Sequence, residues 1–188
     1  MAVRTQHEQE AGSIYFITFT CYNWMPLFEQ ANAYDLVYRW FDYLFSRKIR
    51  VAGYVMMPNH VHVLLYFPEM KTTLNNVIGN GKRFMAYGMI EKLKAAGRED
   101  VLTKLRSGVS KREEKKGQHH KVFEESFDAK LCNTKEFVFR KLDYIHHNPV
   151  SGKWMLAADF IAYPHSSAVF YETGQGGYTN LLRIEEVM

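Results

Sequence analysis

Three short stretches of the chain are rich in β-branched and aromatic residues, a composition that predicts β-strands. They cover residues 13–22, 50–57 and 60–67. In the first stretch, Thr18 and Thr20 fall on the face of the strand opposite Ile17. The second and third stretches are separated only by Pro58 and Asn59, a pair that favours a tight turn. The sequence therefore predicts that these two strands form an antiparallel hairpin.

Longer stretches with apolar residues at every third or fourth position predict amphipathic helices. They cover residues 31–47, 71–96 and 134–147. Thr134 is the predicted N-cap of the last helix. Pro149 predicts the end of that helix near Asn148, because proline lacks the backbone N–H that a helix needs. Residues 122–131 are interpreted as a return of the chain to the sheet.

The order of these segments predicts the fold. A strand, a helix, two strands, a helix, and then a late strand and helix are typical of the ferredoxin-like α+β arrangement. In this arrangement an antiparallel sheet has its helices packed on one face, which leaves the other face free for a ligand. The length of 188 residues predicts a single domain over residues 1–188, since one domain for each 150 residues or so is usual.

Composition excludes several classes of protein. With 47% hydrophobic residues the chain can bury a core, so wholesale disorder is excluded. No apolar run reaches the roughly 18 residues of a membrane span, and the first residues lack the apolar segment of a secretory signal. We therefore expect a soluble, cytoplasmic protein with no membrane partner. Cys21 and Cys132 are the only cysteines, which argues against a disulfide framework or a cysteine zinc site.

The net charge of +4 is concentrated in one segment. Residues 98–121 contain eight basic and four acidic residues, so the rest of the chain is balanced. Because this segment is also interrupted by glycine and serine, we interpret residues 97–120 as a charged, flexible insertion. It would either lie in solvent as a loop or bind a polyanion such as a nucleic acid backbone.

His60 and His62 begin the third predicted strand. Because residues two apart on a strand point to the same face, the two imidazoles project together and can bind one cation. The alternative, from the residues alone, is a pair of histidines that face solvent.

A second candidate lies on the last predicted helix. Its buried stripe is predicted to consist of Val138, Leu142 and Ile145. Tyr144 lies off that stripe, one turn before Asn148. This is the arrangement of a nucleophile next to a metal ligand. Alternatively, Tyr144 is an amphipathic surface residue and Asn148 a C-cap before the proline.

Together the two candidates suggest a reaction. Two histidines and one asparagine leave positions on a divalent cation for substrate oxygens, and such a cation polarises a phosphodiester. Attack by Tyr144 would conserve the broken bond as a phosphotyrosine ester, which can be rejoined without an external source of energy.

At these residues the sequence resembles the HUH-type single-tyrosine transposases, most closely the REP-associated tyrosine transposases. The resemblance rests on His60-Val61-His62 and on the tyrosine helix, which reads DYIHHNPV at 143–150. Weaker segments agree in order at 15–28, 82–84 and 163–168, so the resemblance spans residues 15–171. It implies a metal-dependent endonuclease and strand transferase that acts on single-stranded, hairpin-forming DNA through a 5′-phosphotyrosine intermediate.

The resemblance also implies roles for individual residues. Tyr144 would attack the scissile phosphate. The ligands of Mg²⁺ or Mn²⁺ would be His60, His62 and Asn148. Further contacts with DNA are expected from four basic residues, Lys82, Arg83, Lys111 and Arg112. The alternative for Lys82 and Arg83 is an exposed helix face. The protein would act as a monomer or a homodimer.

Three other interpretations stay open. The first is a domesticated transposase that binds hairpin DNA without cutting it, although the presence of His60, His62 and Tyr144 argues against this loss of catalysis. The second is a two-histidine phosphoesterase, which would need two separated HxT or HxS motifs. The third is a hydrolytic metal enzyme, which would need more carboxylate or histidine ligands near the pair than the sequence offers.

Overall fold

The computed structural model describes residues 10–69, 71–152 and 154–188. Its centre is a four-stranded antiparallel sheet made of β1 (Ser13–Thr20), β2 (Arg50–Met57), β3 (His60–Phe67) and β4 (Asp128–Cys132). The strands lie in the order β2-β3-β1-β4, and every neighbouring pair is antiparallel. The predicted α+β fold class is confirmed, and β2 and β3 have the predicted bounds.

Helices connect and follow these strands. In the described ranges they are α1 (Leu27–Gln30), α2 (Tyr34–Ser46), α3 (Leu74–Ala95), α4 (Glu99–Ser107), α5 (Lys111–Glu114), α6 (Lys135–His147) and α7 (Ala168–Thr173). Short 3₁₀ turns occur at Tyr22–Trp24, Asn148–Val150 and Ile184–Glu186. Thr134 caps α6, because its hydroxyl accepts the backbone N–H of Phe137 at 3.2 Å. None of the helices in these ranges is long and apolar enough to cross a membrane.

One face of the sheet carries the larger core. Alternate residues of β1 and β3, among them Ile17, Phe19 and Val63, point to this side and are buried. Helices α2, α3 and α4 contribute the other half of this core, which confirms the expected packing of helices on one face. Gly81 of α3 permits a close approach to α2, since a Cβ there would lie 2.5 Å from the indole nitrogen of Trp40.

The opposite face carries a smaller core beneath α6. Phe16 of β1 and Leu64 of β3 point to this side, where Leu142 and Ile145 of α6 pack on them. Gly53 of β2 allows the helix to come close, because a Cβ there would lie 2.6 Å from Leu142 Cδ1. The face that was expected to be free for a ligand is therefore partly covered by α6.

The segment interpreted as a flexible insertion contains two helices. Helix α4 places Val101, Leu102 and Leu105 in the larger core. Helix α5 begins with a capping box, in which Ser110 and Glu113 exchange hydrogen bonds between side chain and backbone. The apolar stripe of α4 is short and surrounded by charged residues. The high charge of the segment therefore predicted a loop where the structure has a packed helix.

Candidate functional site

His60 and His62 lie side by side at the start of β3, on the face of the sheet that carries the smaller core. The antiparallel pairing places them opposite Thr20 and Thr18 of β1. Their ring centroids are 4.6 Å apart, and each histidine is only 6% exposed. The structure therefore brings two buried imidazoles together at the end of two neighbouring strands.

Asn59, in the turn before β3, fixes the position of the proton on His60. Its side-chain NH₂ donates to the backbone carbonyl of Trp24 at 3.1 Å, and this bond orients the amide because a carbonyl oxygen can only accept. The amide oxygen therefore faces His60 Nδ1, at 2.6 Å, and accepts its proton. With the proton on Nδ1, the lone pair of His60 Nε2 is available to bind a cation.

His62 has a comparable partner, since Thr18 Oγ1 lies 2.7 Å from its Nδ1. Burial lowers the pKa of His60 to about 4. Burial, together with smaller electrostatic effects of His60 and Lys141, lowers the pKa of His62 to about 3. Both imidazoles are therefore neutral near pH 7, which is the protonation state that binds metal ions.

Helix α6 brings Tyr144 to the histidine pair. The buried stripe of this helix contains the predicted residues Val138, Leu142 and Ile145. Tyr144 lies off this stripe, and its ring centroid is 5.2 Å from that of His62. The ring also makes an edge contact with Phe16, at 6.1 Å. Because Tyr144 is 49% exposed, its phenol can reach a substrate that approaches from solvent.

Asn148 completes the group of possible ligands. It is the C-cap residue of α6, one turn after Tyr144, and its side chain lies near His60, whose pKa it raises against the larger effect of burial. Two imidazole nitrogens and an amide oxygen suit a divalent cation that accepts mixed nitrogen and oxygen ligands. In the described part of the chain, histidine, cysteine and carboxylate side chains form no group of three that could hold a metal ion. A cation held by these three residues would keep positions for substrate oxygens.

A basic residue that the sequence did not single out lies beside Tyr144. Lys141 precedes Tyr144 by one helical turn, and its ammonium nitrogen is 5.6 Å from the centroid of the tyrosine ring and 4.7 Å from that of Phe16. Burial and the nearby charges of Lys130 and Arg140 lower the pKa of Lys141. The spacing to Tyr144 is visible in the sequence, but the contact with Phe16 depends on the packing of α6 on β1.

The four basic residues expected to contact DNA have different surroundings. The Lys82 ammonium donates to the backbone carbonyls of residues 124–126, at 2.5, 3.1 and 3.3 Å, and so holds a loop in place. Arg83 is exposed on α3, and Lys111 and Arg112 are exposed on α5. The structure does not bring these four side chains together with the histidine pair and Tyr144.

Two tryptophans flank His60, and no motif in the sequence marks them. The ring centroids of Trp24 and Trp154 lie 6.1 and 6.4 Å from that of His60. Trp24 is 64% exposed and has a φ of 55°, in the left-handed region that bulky residues rarely adopt. The preceding Asn23 donates its backbone N–H to the carboxylate of Glu124 at 2.7 Å. No local pattern marks this conformation, because Glu124 lies far away in the sequence.

The fold and the site define a class of protein, in which an antiparallel sheet presents paired histidines to a tyrosine on a helix. No protein-family model matches the chain, and no curated protein sequence matches it. Among solved structures, the chain is similar to a REP-associated tyrosine transposase bound to a REP hairpin. The likeness covers 96% of this chain and 98% of that one, with a TM-score of 0.61 and 16% sequence identity. This neighbour is the kind of protein that the sequence resembles, and the likeness confirms the fold.

Proposed function

We propose that this protein is a transposase-type enzyme that cuts and rejoins single-stranded, hairpin-forming DNA. The observation that carries the proposal is the approach of Tyr144 on α6 to His62 on β3, with ring centroids 5.2 Å apart. A half-exposed tyrosine beside two buried, hydrogen-bonded histidines is more than core packing requires. The structural neighbour is bound to a REP hairpin, which supports this class of substrate.

In the proposed reaction, the phenol oxygen of Tyr144 attacks the phosphorus of one phosphodiester in the DNA. A bond forms between this oxygen and phosphorus, and the bond between phosphorus and the 3′ oxygen breaks. The phenol proton passes to solvent, and the 3′ oxygen takes up a proton. The products are a 5′-phosphotyrosine and a free 3′-hydroxyl. Attack by another 3′-hydroxyl on the phosphotyrosine transfers the strand and restores the phenol.

His60, His62 and Asn148 would hold Mg²⁺ or Mn²⁺. Such an ion, when bound, supplies polarisation of the scissile phosphate and offsets the negative charge that develops on its oxygens. Thr18 and Asn59 orient the two imidazoles. Each is hydrogen-bonded to the Nδ1 atom of one ring and so restricts its rotation.

Covalent attachment of DNA tests the proposal. Labelled single-stranded hairpin DNA from the sequence flanking the protein's own gene is incubated with Mg²⁺, Mn²⁺ or EDTA, and the products are separated on a denaturing protein gel. We expect a metal-dependent shifted band with the wild-type protein. Tyr144→Phe should lose this band by a factor of at least about 100, because it lacks the nucleophilic oxygen. Tyr87→Phe is the matched control, because Tyr87 is 71% exposed on α3, and it should retain the band.

The other outcomes distinguish the alternatives. Tyr144→Phe should still shift the hairpin on a native gel, since the phenol oxygen is not needed for binding. Binding of the hairpin by the wild-type protein with no adduct in any metal would favour a domesticated, binding-only protein. An adduct that persists in Tyr144→Phe would assign the nucleophile to a different tyrosine. The proposed site takes Tyr144 and His62 from one chain, and the protein is proposed to act as a monomer or a homodimer.

A further inference from the structure

The ammonium group of Lys141 is held among three aromatic rings. Its nitrogen lies 4.7 Å from the ring centroid of Phe16, 5.4 Å from that of Phe137 and 5.6 Å from that of Tyr144. Aromatic faces attract a cation but do not accept its N–H groups as a carboxylate would. Within residues 10–69, 71–152 and 154–188, this ammonium has no ion pair and no hydrogen bond.

A cation in this position is poorly compensated. Two of the neighbours that act on it electrostatically, Lys130 and Arg140, are also positive, whereas Cys132 acts in the opposite direction. Lys141 is only partly buried, and the loss of part of its hydration without a counter-ion costs some free energy. The surroundings of Lys141 would therefore be stabilised by an anion.

The position also selects the anion. Lys141 and Tyr144 are three residues apart on α6, so their side chains lie on neighbouring parts of one helical surface. The positive charge of Lys141 also contributes to the lowered pKa of His62. An anion that contacts the ammonium therefore lies near the ring of Tyr144 and within electrostatic range of His62, in the region where the proposed reaction takes place.

We propose that Lys141 is a catalytic residue that binds a non-bridging oxygen of the scissile phosphate and holds it beside the phenol of Tyr144. This inference rests on the proposed function and adds to it an electrostatic contact supplied by the protein itself. The ammonium would pair with the phosphate charge in the ground state and more strongly in the transition state, when additional negative charge develops on the oxygens.

The test compares Lys141 variants on a charged and a neutral scissile phosphate. Single-turnover rates of adduct formation are measured at saturating hairpin DNA for the wild type, Lys141→Met and Lys141→Arg. Each protein is given the normal phosphodiester and a methylphosphonate at the scissile position, in which a methyl group replaces one charged oxygen. Arg140→Met is the matched control, because Arg140 is an exposed cation on the same helix.

On the phosphodiester, Lys141→Met should react about 100-fold more slowly than the wild type, the usual effect of removing one donor to a developing oxyanion. Lys141→Arg should recover most of the rate, since it keeps the charge. On the methylphosphonate, the wild type and Lys141→Met should differ by less than about threefold, because the charge that Lys141 recognises is gone. Equal losses on both substrates, or no loss on the phosphodiester, would overturn the assignment.

A second measurement does not depend on catalysis. The hairpin is bound to a Tyr144→Phe variant, the lysines are acetylated, and the modified peptides are quantified by mass spectrometry. Bound DNA should protect Lys141 at least about fivefold, the loss of access expected for an ammonium in contact with phosphate. Adduct formation by the wild type with neither this protection nor a slower Lys141→Met would reject Lys141 alone. A chain that neither binds nor attacks the DNA would overturn the proposed function as well.

Discussion

Acidification from about pH 7 to about pH 5 is expected to destabilise the protein through three buried histidines. Two are His60 and His62, and the third is His146 of α6, whose Nε2 lies 2.9 Å from the hydroxyl of Ser167. Burial lowers the pKa of His60 to about 4, of His62 to about 3 and of His146 to about 4, from an ordinary value of 6.5. The folded chain keeps these imidazoles neutral, whereas the unfolded chain protonates them below pH 6.5.

The sign and the magnitude follow from this difference. The unfolded state binds more protons below pH 6.5, so the free energy of unfolding falls as the pH drops from 6.5 towards about 4. Each histidine contributes about 1.4 kcal/mol per pH unit in this window. At pH 5 the loss is about 2 kcal/mol for one histidine and about 6 kcal/mol for all three. A domain of ordinary stability has about 5–15 kcal/mol in total, so the effect is large enough to measure.

Urea unfolding followed by circular dichroism measures this loss at a series of pH values. His146→Gln should remove about a third of the pH dependence, since it removes one of three similar groups. His119→Gln is the matched control, because His119 is exposed, and it should leave the slope unchanged. A free energy of unfolding that changes by less than about 1 kcal/mol between pH 7 and pH 5 would refute the reasoning. Mn²⁺ should stabilise the protein at pH 7 and still do so at pH 5, because the folded imidazoles stay neutral until about pH 4.

Two further substitutions probe the support of the site. Thr18→Val removes the oxygen on Nδ1 of His62 and should weaken Mn²⁺ binding about 10–100-fold in calorimetry; unchanged affinity would show that Thr18 does not orient the ring. Gly53→Ala places a methyl group 2.6 Å from Leu142 Cδ1. It should cost about 1–3 kcal/mol in urea unfolding and slow adduct formation by displacing Tyr144. Wild-type stability together with a wild-type rate would contradict the close packing of α6.

The sequence predicted the parts of the fold that local patterns control. The hairpin of β2 and β3 has the predicted bounds, because a run of β-branched residues and the Pro58-Asn59 turn act over a few residues. The N-cap at Thr134 is equally local. The proximity of His62 and Tyr144 required more, since they lie far apart in the sequence. The resemblance to a known family supplied that expectation, and the structure provides the distance.

Other features could not be read from the sequence, because they depend on long-range contacts. Lys82 is a basic residue of the kind that often contacts DNA, but its ammonium donates hydrogen bonds to the carbonyls of residues 124–126. No sequence pattern marks Lys141 as a site residue, because its contact with Phe16 depends on the packing of α6 on the sheet. The residues of α4 were hidden for a different reason. Three apolar residues in a charged segment are too few to show a clear helical period.

The alternation of His60 and His62 with Val61 and Val63 ties the chemistry of the chain to the pairing of one strand. In the observed register, the valines face the larger core, and His62 lies opposite Thr18. A slip of β3 by a single residue would exchange the two sets, placing both imidazoles in the larger core and the valines on the face beneath α6. Such a chain would keep its strand and helix content and lose its cation ligands. Mn²⁺ affinity therefore reports whether β3 has paired in the correct register in refolded protein. Circular dichroism alone does not report this, because it measures only the strand and helix content.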